Sequence, residues 1–176
     1  PFCGSGTIPI EAALIAKNRA PGLERSFAAQ KWKTMPGTLW LDAAEEAMDK
    51  EFHGSYDIWG GDIDPAAVEL SRHNAALAGV EDCVRFEVAD AGKFHRESAY
   101  GQLVTNPPYG ERLLEKTEAE ALYRRFGAAA RTLPPGWRVV VLSSHTEFER
   151  AFGRPADKKR KLYNGMLKCD AFLYGR

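Results

Sequence analysis

Asn106-Pro107-Pro108-Tyr109 follows the apolar run Leu103-Val104-Thr105. Two consecutive prolines stiffen the backbone and remove its competing N–H groups. In such a corner the Asn106 side-chain oxygen and a neighbouring proline carbonyl can together accept both hydrogens of an NH₂ group. The nitrogen lone pair is then left pointing outward, toward an electrophile. Tyr109 adds a flat face for stacking a base, worth roughly 1–3 kcal/mol. Out of context the tetrapeptide reads as a proline-rich turn with a buried tyrosine. Its place directly after a strand favours the amine-gripping reading.

Two further groups of residues carry chemistry. Phe2-Cys3-Gly4-Ser5-Gly6-Thr7 is a glycine-rich loop leading into a helix, where glycines allow the backbone to approach a ligand closely. A plain tight turn has the same composition. Asp62 and Asp64, in Gly-Gly-Asp-Ile-Asp-Pro, sit at the end of a strand. A carboxylate there can accept two hydrogen bonds from a ribose diol. Asp64 is also a natural helix cap, so Asp62, with Ile63 beside it, is the better ligand candidate. Asp90, followed by Ala91, ends the next strand and can accept from an adenine amino group or serve a turn.

The elements that must hold these residues alternate. Glycine loop 1–7 leads to a helix over 8–17, and a second helix is expected over 41–52 inside a helical insertion at about 19–55. Strand 57–63 is followed by a helix capped by Asp64, with Pro65 at its first position and Gly79 past its end. Strand 84–88, a short strand at 103–105, a helix over 118–133, strand 138–143 and a short helix over 146–152 come next. Asn164-Gly165, between 159–163 and 166–174, signals a hairpin. The order predicts a doubly wound, mostly parallel α/β sheet closed by a C-terminal antiparallel hairpin. In such sheets ligands sit beyond the carboxyl ends of the strands, which is where all three groups fall.

Composition narrows the class. The 176 residues suit one domain. Lys+Arg and Asp+Glu are both 24, so formal net charge is zero, without the basic excess of a protein held on nucleic acid by charge alone. The basic run Lys158-Lys159-Arg160-Lys161 is the local exception: a solvated strand edge or a phosphate contact. Cys3, Cys83 and Cys169 give neither a disulfide framework nor a zinc pair. A reduced, cytoplasmic setting follows, with no apolar run long enough to span a bilayer. His53, His73 and His145 lack metal spacing, and His95-Arg96-Glu97 lacks the cysteine pair of zinc deaminases, so no metal is expected. The gap from Gly6 to Asp62 is too long for a nicotinamide dehydrogenase.

FCGSGTIPIEAA, GGDIDPAAVELSRHNAALAGV, TNPPYGERL and KLYNGMLKC, with NRAPGLERSFAAQKW in the insertion, together resemble the RNA methylases that carry an N-terminal THUMP domain. Bacterial members of that family include 23S rRNA guanine-N2 methyltransferases, and some were formerly described as N6-adenine-specific DNA methylases. The resemblance implies a Rossmann-like, class I methyltransferase fold with S-adenosylmethionine as cofactor. The methionine end would lie in the Phe2–Thr7 loop, the ribose at Asp62 and the adenine at Asp90. Asn106 to Tyr109 would grip the target amine. The family pattern places an aspartate directly before the proline that is Pro1 here. Residues 1–176 are therefore expected to be a catalytic fragment lacking its first strand and an N-terminal RNA-binding domain. The expected reaction is methylation of guanine N2 in ribosomal RNA. Adenine N6 methylation, protein glutamine methylation and a non-catalytic RNA-binding module remain the alternatives.

Overall fold

The structure, a computed structural model, describes residues 1–23, 25–34, 36–109 and 116–175. Residues 110–113, the tail of the TNPPYGERL motif, and Glu24 of the insertion lie outside the described residues.

Helix α1 (Thr7–Lys17) leads to a 3₁₀ turn (Ala28–Lys31) and helix α2 (Leu39–Asp49). Then come β1 (Ile58–Asp62), α3 (Pro65–Leu77), β2 (Val84–Val88) and β3 (Tyr100–Thr105). The chain ends through α4 (Lys116–Ala130), β4 (Gly136–Ser143), α5 (Phe148–Phe152), β5 (Lys158–Asn164) and β6 (Leu167–Tyr174). The expected elements are all present. β3 is twice the expected length, because Tyr100, Gly101 and Gln102 join it through their pairing with Gly136, Trp137 and Arg138. Backbone pairing, not an apolar pattern, makes that half of the strand.

The strands form a parallel pair β1–β2 and a four-stranded sheet ordered β3-β4-β6-β5. β3 and β4 are parallel, while β6 runs antiparallel to both β4 and β5. The hairpin thus docks through its second strand, which leaves β5 at the edge. Residues 1–3 lie between the two sheets: the Cys3 N–H donates to the Gly61 carbonyl at 2.9 Å, and the Thr105 hydroxyl donates to the Pro1 carbonyl.

Each sheet has its own core. Ile10, Ala13, Val68, Ala75, Val80, Val84 and Phe86 pack α1 and α3 onto β1–β2. The larger core sets α4 and α5 on β4 and β6 through an aromatic cluster. Phe148 lies 4.6 Å from Phe172 and 5.0 Å from Tyr123 between ring centroids, and Phe152 lies 4.9 Å from Tyr174. Contacts of this kind add about 0.5–1.5 kcal/mol each beyond their area. Gly127 lets α5 come close, since a Cβ there would stand 2.1 Å from the Phe152 carbonyl oxygen.

The insertion is peripheral. Neither its 3₁₀ turn nor α2 contains a buried residue. It is fastened by a stacked Phe27–Trp40 pair, the Arg19–Glu51 ion pair at 2.8 Å and the Phe52 N–H on the Lys17 carbonyl. Among the described residues no helix is long and apolar enough to cross a membrane, and no three His, Cys, Asp or Glu side chains gather to hold a metal.

Candidate active site

Asp62, Asp90 and Asn106 stand at or just beyond the carboxyl ends of β1, β2 and β3. Parallel pairing carries β1 and β2 in the same direction, and Asp62 is matched to Val88 in register. Asp64 caps α3 by accepting from the Ala66 N–H at 2.9 Å, with Pro65 at the first helical position. That geometry turns the chain away sharply and leaves Asp62 and Ile63 at the strand end. Ile63 remains 69% exposed, an apolar face turned outward beside two carboxylates.

These strand ends open into one cleft of about 1230 Å³. Ligand pockets commonly measure about 300–1,000 Å³, so there is room for two ligands side by side. Asp62, Ile63, Asp90, Ala91, Phe2 and Gly4 line the cleft together with Asn106, Pro107, Pro108 and Tyr109. The structure therefore brings both carboxylates, part of the glycine loop and the whole diproline corner to one cavity.

Asp62 also organises the loop beside it. One carboxylate oxygen accepts the Gly4 N–H at 2.9 Å and the other accepts the Asp64 N–H at 3.1 Å. A carboxylate has about four acceptor positions, so capacity for a diol remains after both bonds. Asp90 spends one oxygen on the Gly92 N–H at 2.8 Å. The acceptor set fits a ligand with a ribose diol and a heteroaromatic base carrying an amino group. Phe2 holds φ 59°, in the left-handed region, and its ring packs edge-on to Phe126 at 5.3 Å. Its lining position in the cleft accompanies that strained backbone.

The other expected loop residues do not reach the cleft wall. Cys3 turns inward, its Sγ 3.6 Å from the Ser71 hydroxyl, and burial pushes its thiol pKa up. The Ser5 and Thr7 hydroxyls face each other at 3.2 Å. Gly6 starts α1 at φ 82°, where a Cβ would crowd Ser71 and Phe86. These four residues shape the loop from behind.

The diproline corner is held at both ends. The Tyr109 hydroxyl donates to Asn106 Oδ1. The Tyr123 hydroxyl, from α4, donates to the Pro108 carbonyl at 2.6 Å. Pro107 is fully buried. Asn106 Oδ1 and the Pro108 carbonyl each retain a second lone pair, and Pro107 also lines the cleft, so its carbonyl is a further proline acceptor beside Asn106 Oδ1. Burial pushes the Tyr109 phenol up to about 12, so it stays a neutral donor at physiological pH. Tyr123 is raised by burial as well.

Sequence reasoning missed the rest of the cleft wall. Asn164, Gly165, Met166 and Leu167 of the β5–β6 hairpin line the cleft, as do Glu118, Leu122 and Arg125 of α4. Cys169 Sγ lies 3.8 Å from the Tyr109 hydroxyl, which ties the hairpin to the corner. The KLYNGMLKC segment was legible as a hairpin, but its approach to Asn106 is a tertiary fact.

Comparison with known proteins gives the family and the fold. A family model described as UPF0020, RMKL-like, methyltransferase domain, matches residues 1–172. The chain is 43% identical over 99% of its length to the Bacillus subtilis protein named "Putative RNA methyltransferase YpsC", covering 45% of that protein. It is 40% identical over 99% of its length to "Ribosomal RNA large subunit methyltransferase K/L" of Shewanella baltica, covering 25% of it. A crystal structure titled as SMU.472, "a putative methyltransferase complexed with SAH", superposes with TM-score 0.95 at 42% identity over 100% of this chain and 47% of that one. The chain thus spans less than half the length of the relatives it matches. A cleft at the strand ends, a class I methyltransferase fold and a family match across nearly every residue lead to one conclusion: the chain belongs to the UPF0020 RMKL-like methyltransferase-domain family.

Proposed function

We propose that this domain moves a methyl group from S-adenosylmethionine to an exocyclic amino nitrogen of an RNA base, with guanine N2 in large-subunit ribosomal RNA as the target. The observation that carries the reading is that two strand-end carboxylates and the Asn106-Pro107-Pro108 corner line one cleft large enough for cofactor and base. The names of the relatives support RNA as the substrate and ribosomal RNA as its source.

S-adenosylmethionine supplies a methyl group already activated on a sulfonium, so the protein needs no covalent nucleophile. Asp62 accepts the ribose diol, with Gly4 close beside it. Asp90 accepts the adenine amino group, and Ile63 and Ala91 flank the ring. Asn106 Oδ1 and the Pro107 carbonyl accept the hydrogens of the target amine, and Tyr109 bounds the base. An exocyclic base nitrogen is a poor nucleophile because its lone pair is delocalised into the ring. Acceptors aimed at the positive charge that develops on it stabilise the transition state. Holding amine and methyl together can supply roughly 7–11 kcal/mol of the barrier. As the N–CH₃ bond forms, the S–CH₃ bond would break and S-adenosylhomocysteine would leave, while the methylated nitrogen would release one proton to solvent.

A duplex base must leave its stack to reach such a cleft, at a cost of a few kcal/mol. Because net charge is zero, RNA contact here falls to a local patch, with further contact from an N-terminal RNA-binding domain, in the cytoplasm. Lys158, Lys159, Arg160 and Lys161 are exposed on the edge strand β5. Lys159 is engaged with Glu149 at 2.8 Å, so Lys158, Arg160 and Lys161 are the stronger candidates for phosphate.

The test is Asn106→Ala in the full-length protein under single-turnover conditions. The rate of methyl transfer is expected to fall on the order of 10²-fold, as when a polar stabiliser is lost from other active sites. A rate within twofold of wild type would refute the assignment.

A further inference from the structure

Amine gripping alone does not choose a base. Asn106 Oδ1 and the Pro107 carbonyl would hold any NH₂ group, guanine N2 and adenine N6 alike. Discrimination has to come from whatever meets the rest of the base edge, and the hairpin tip lines the same cleft as the corner.

The tip is built one residue further along than its sequence suggests. Asn164-Gly165 reads as a turn pair, but Asn164 is the last residue of β5, matched to Leu167. The two turn residues are Gly165, at φ 62°, and Met166. Asn164 is thereby released from the turn. Strand alternation and register place it on the same face of the hairpin as Leu162 and Cys169. That face meets the corner, since Cys169 Sγ lies 3.8 Å from the Tyr109 hydroxyl. The Asn164 amide donates to the same hydroxyl, which leaves its carbonyl oxygen and its second amide hydrogen for a ligand. Asn164 is exposed, and Met166 beside it is fully exposed. A carboxamide and a thioether, neither spent on the core, therefore border the cavity next to the amine-gripping atoms.

We infer that Asn164 is the base-selecting residue of this site, its carboxamide reading the N1–H and O6 of a guanine whose N2 is held by Asn106 and the Pro107 carbonyl. The inference rests on the methyl-transfer reading above and deepens it. A carboxamide offers one acceptor and one two-hydrogen donor side by side. Guanine places a donor, N1–H, next to N2 and an acceptor, O6, beyond it, which complements both. Adenine held by N6 places only the N1 acceptor next in line and leaves the Asn164 oxygen without a donor. Such bidentate matching typically discriminates between bases by about 10- to 100-fold.

The experiment compares the full-length wild type with Asn164→Ala on oligoribonucleotides carrying a single guanosine, 2-aminopurine or adenosine. 2-Aminopurine keeps the N2 amine but has neither N1–H nor O6. Wild type is expected to favour guanosine over 2-aminopurine by about 10-fold or more in kcat/KM. Asn164→Ala should lower guanosine transfer to the 2-aminopurine level, leave 2-aminopurine transfer within about twofold of wild type, and keep S-adenosylhomocysteine affinity unchanged by calorimetry. Equal losses on both substrates would mean that Asn164 merely steadies Tyr109, and would overturn the inference, as would unchanged rates. Wild-type transfer to adenosine but not guanosine would defeat the guanine reading itself. That failure appears before the variant is used, so the two failures are separable.

Discussion

Tyr123 shows how a residue with no sequence signature comes to matter. It shares one face of α4 with Ala119, Phe126 and Ala130, and it is fully buried, edge-on to Phe148 at 5.0 Å. Its hydroxyl nevertheless donates to the Pro108 carbonyl and fixes the corner that presents Asn106 and Pro107. Burial raises the phenol pKa, so the donor form persists below pH 10 and this bond does not titrate near neutrality. Tyr123→Phe leaves a part-buried carbonyl without its donor, at a cost of about 1–3 kcal/mol. We expect kcat to fall about 10-fold with cofactor affinity unchanged, read by single-turnover rate and calorimetry together. A loss confined to KM for RNA would assign Tyr123 to docking instead. By contrast, Asp62, Asp90 and Asn106 were legible in the sequence because each follows a strand-like run, and strand ends in parallel sheets collect on one side. Cys3, Ser5, Gly6 and Thr7 belong to the same glycine-rich loop but stand behind the cleft wall that Phe2 and Gly4 line; a loop that shapes a site and one that touches it have the same composition.

At the scale of elements, period and punctuation found every α-helix and strand of the described chain, though not the 3₁₀ turns, while pairing decided their ends. Tyr100–Gln102 has no strand-like alternation yet pairs along β4. Asn164 is a turn residue by type but a strand residue by register. The α4–α5 contact was not legible at all. It depends on Gly127, a residue that costs helix stability in isolation and is required because the Phe152 carbonyl lies where a Cβ would go. Gly127→Ala should therefore destabilise the domain by about 2–4 kcal/mol despite the better helix propensity, measured as a fall in the denaturant midpoint at unchanged slope. A stabilised variant would show that α5 is free to move away, and the aromatic packing of Phe148 and Phe152 would need another explanation.

For the molecule as a whole, function follows from two separately packed units meeting along one line. The β1–β2 unit contributes the carboxylates, the larger sheet contributes the diproline corner and the hairpin, and residues 1–3 bridge them. No single element carries the site, so the fold class could be read from the sequence but the cleft could not be measured from it. On the proposed function the same arrangement divides the chemistry, with cofactor on the β1–β2 side and the amine on the other. The measurement that tests this division most directly is the calorimetric affinity of S-adenosylhomocysteine for the full-length wild type, Asp62→Ala and Asn106→Ala, each first shown to melt as the wild type does. Loss of hydrogen bonds to a charged group costs about 1.5–3 kcal/mol. The account predicts affinity at least 10-fold weaker for Asp62→Ala and unchanged for Asn106→Ala. Unchanged affinity for Asp62→Ala, or a weakening confined to Asn106→Ala, would contradict it.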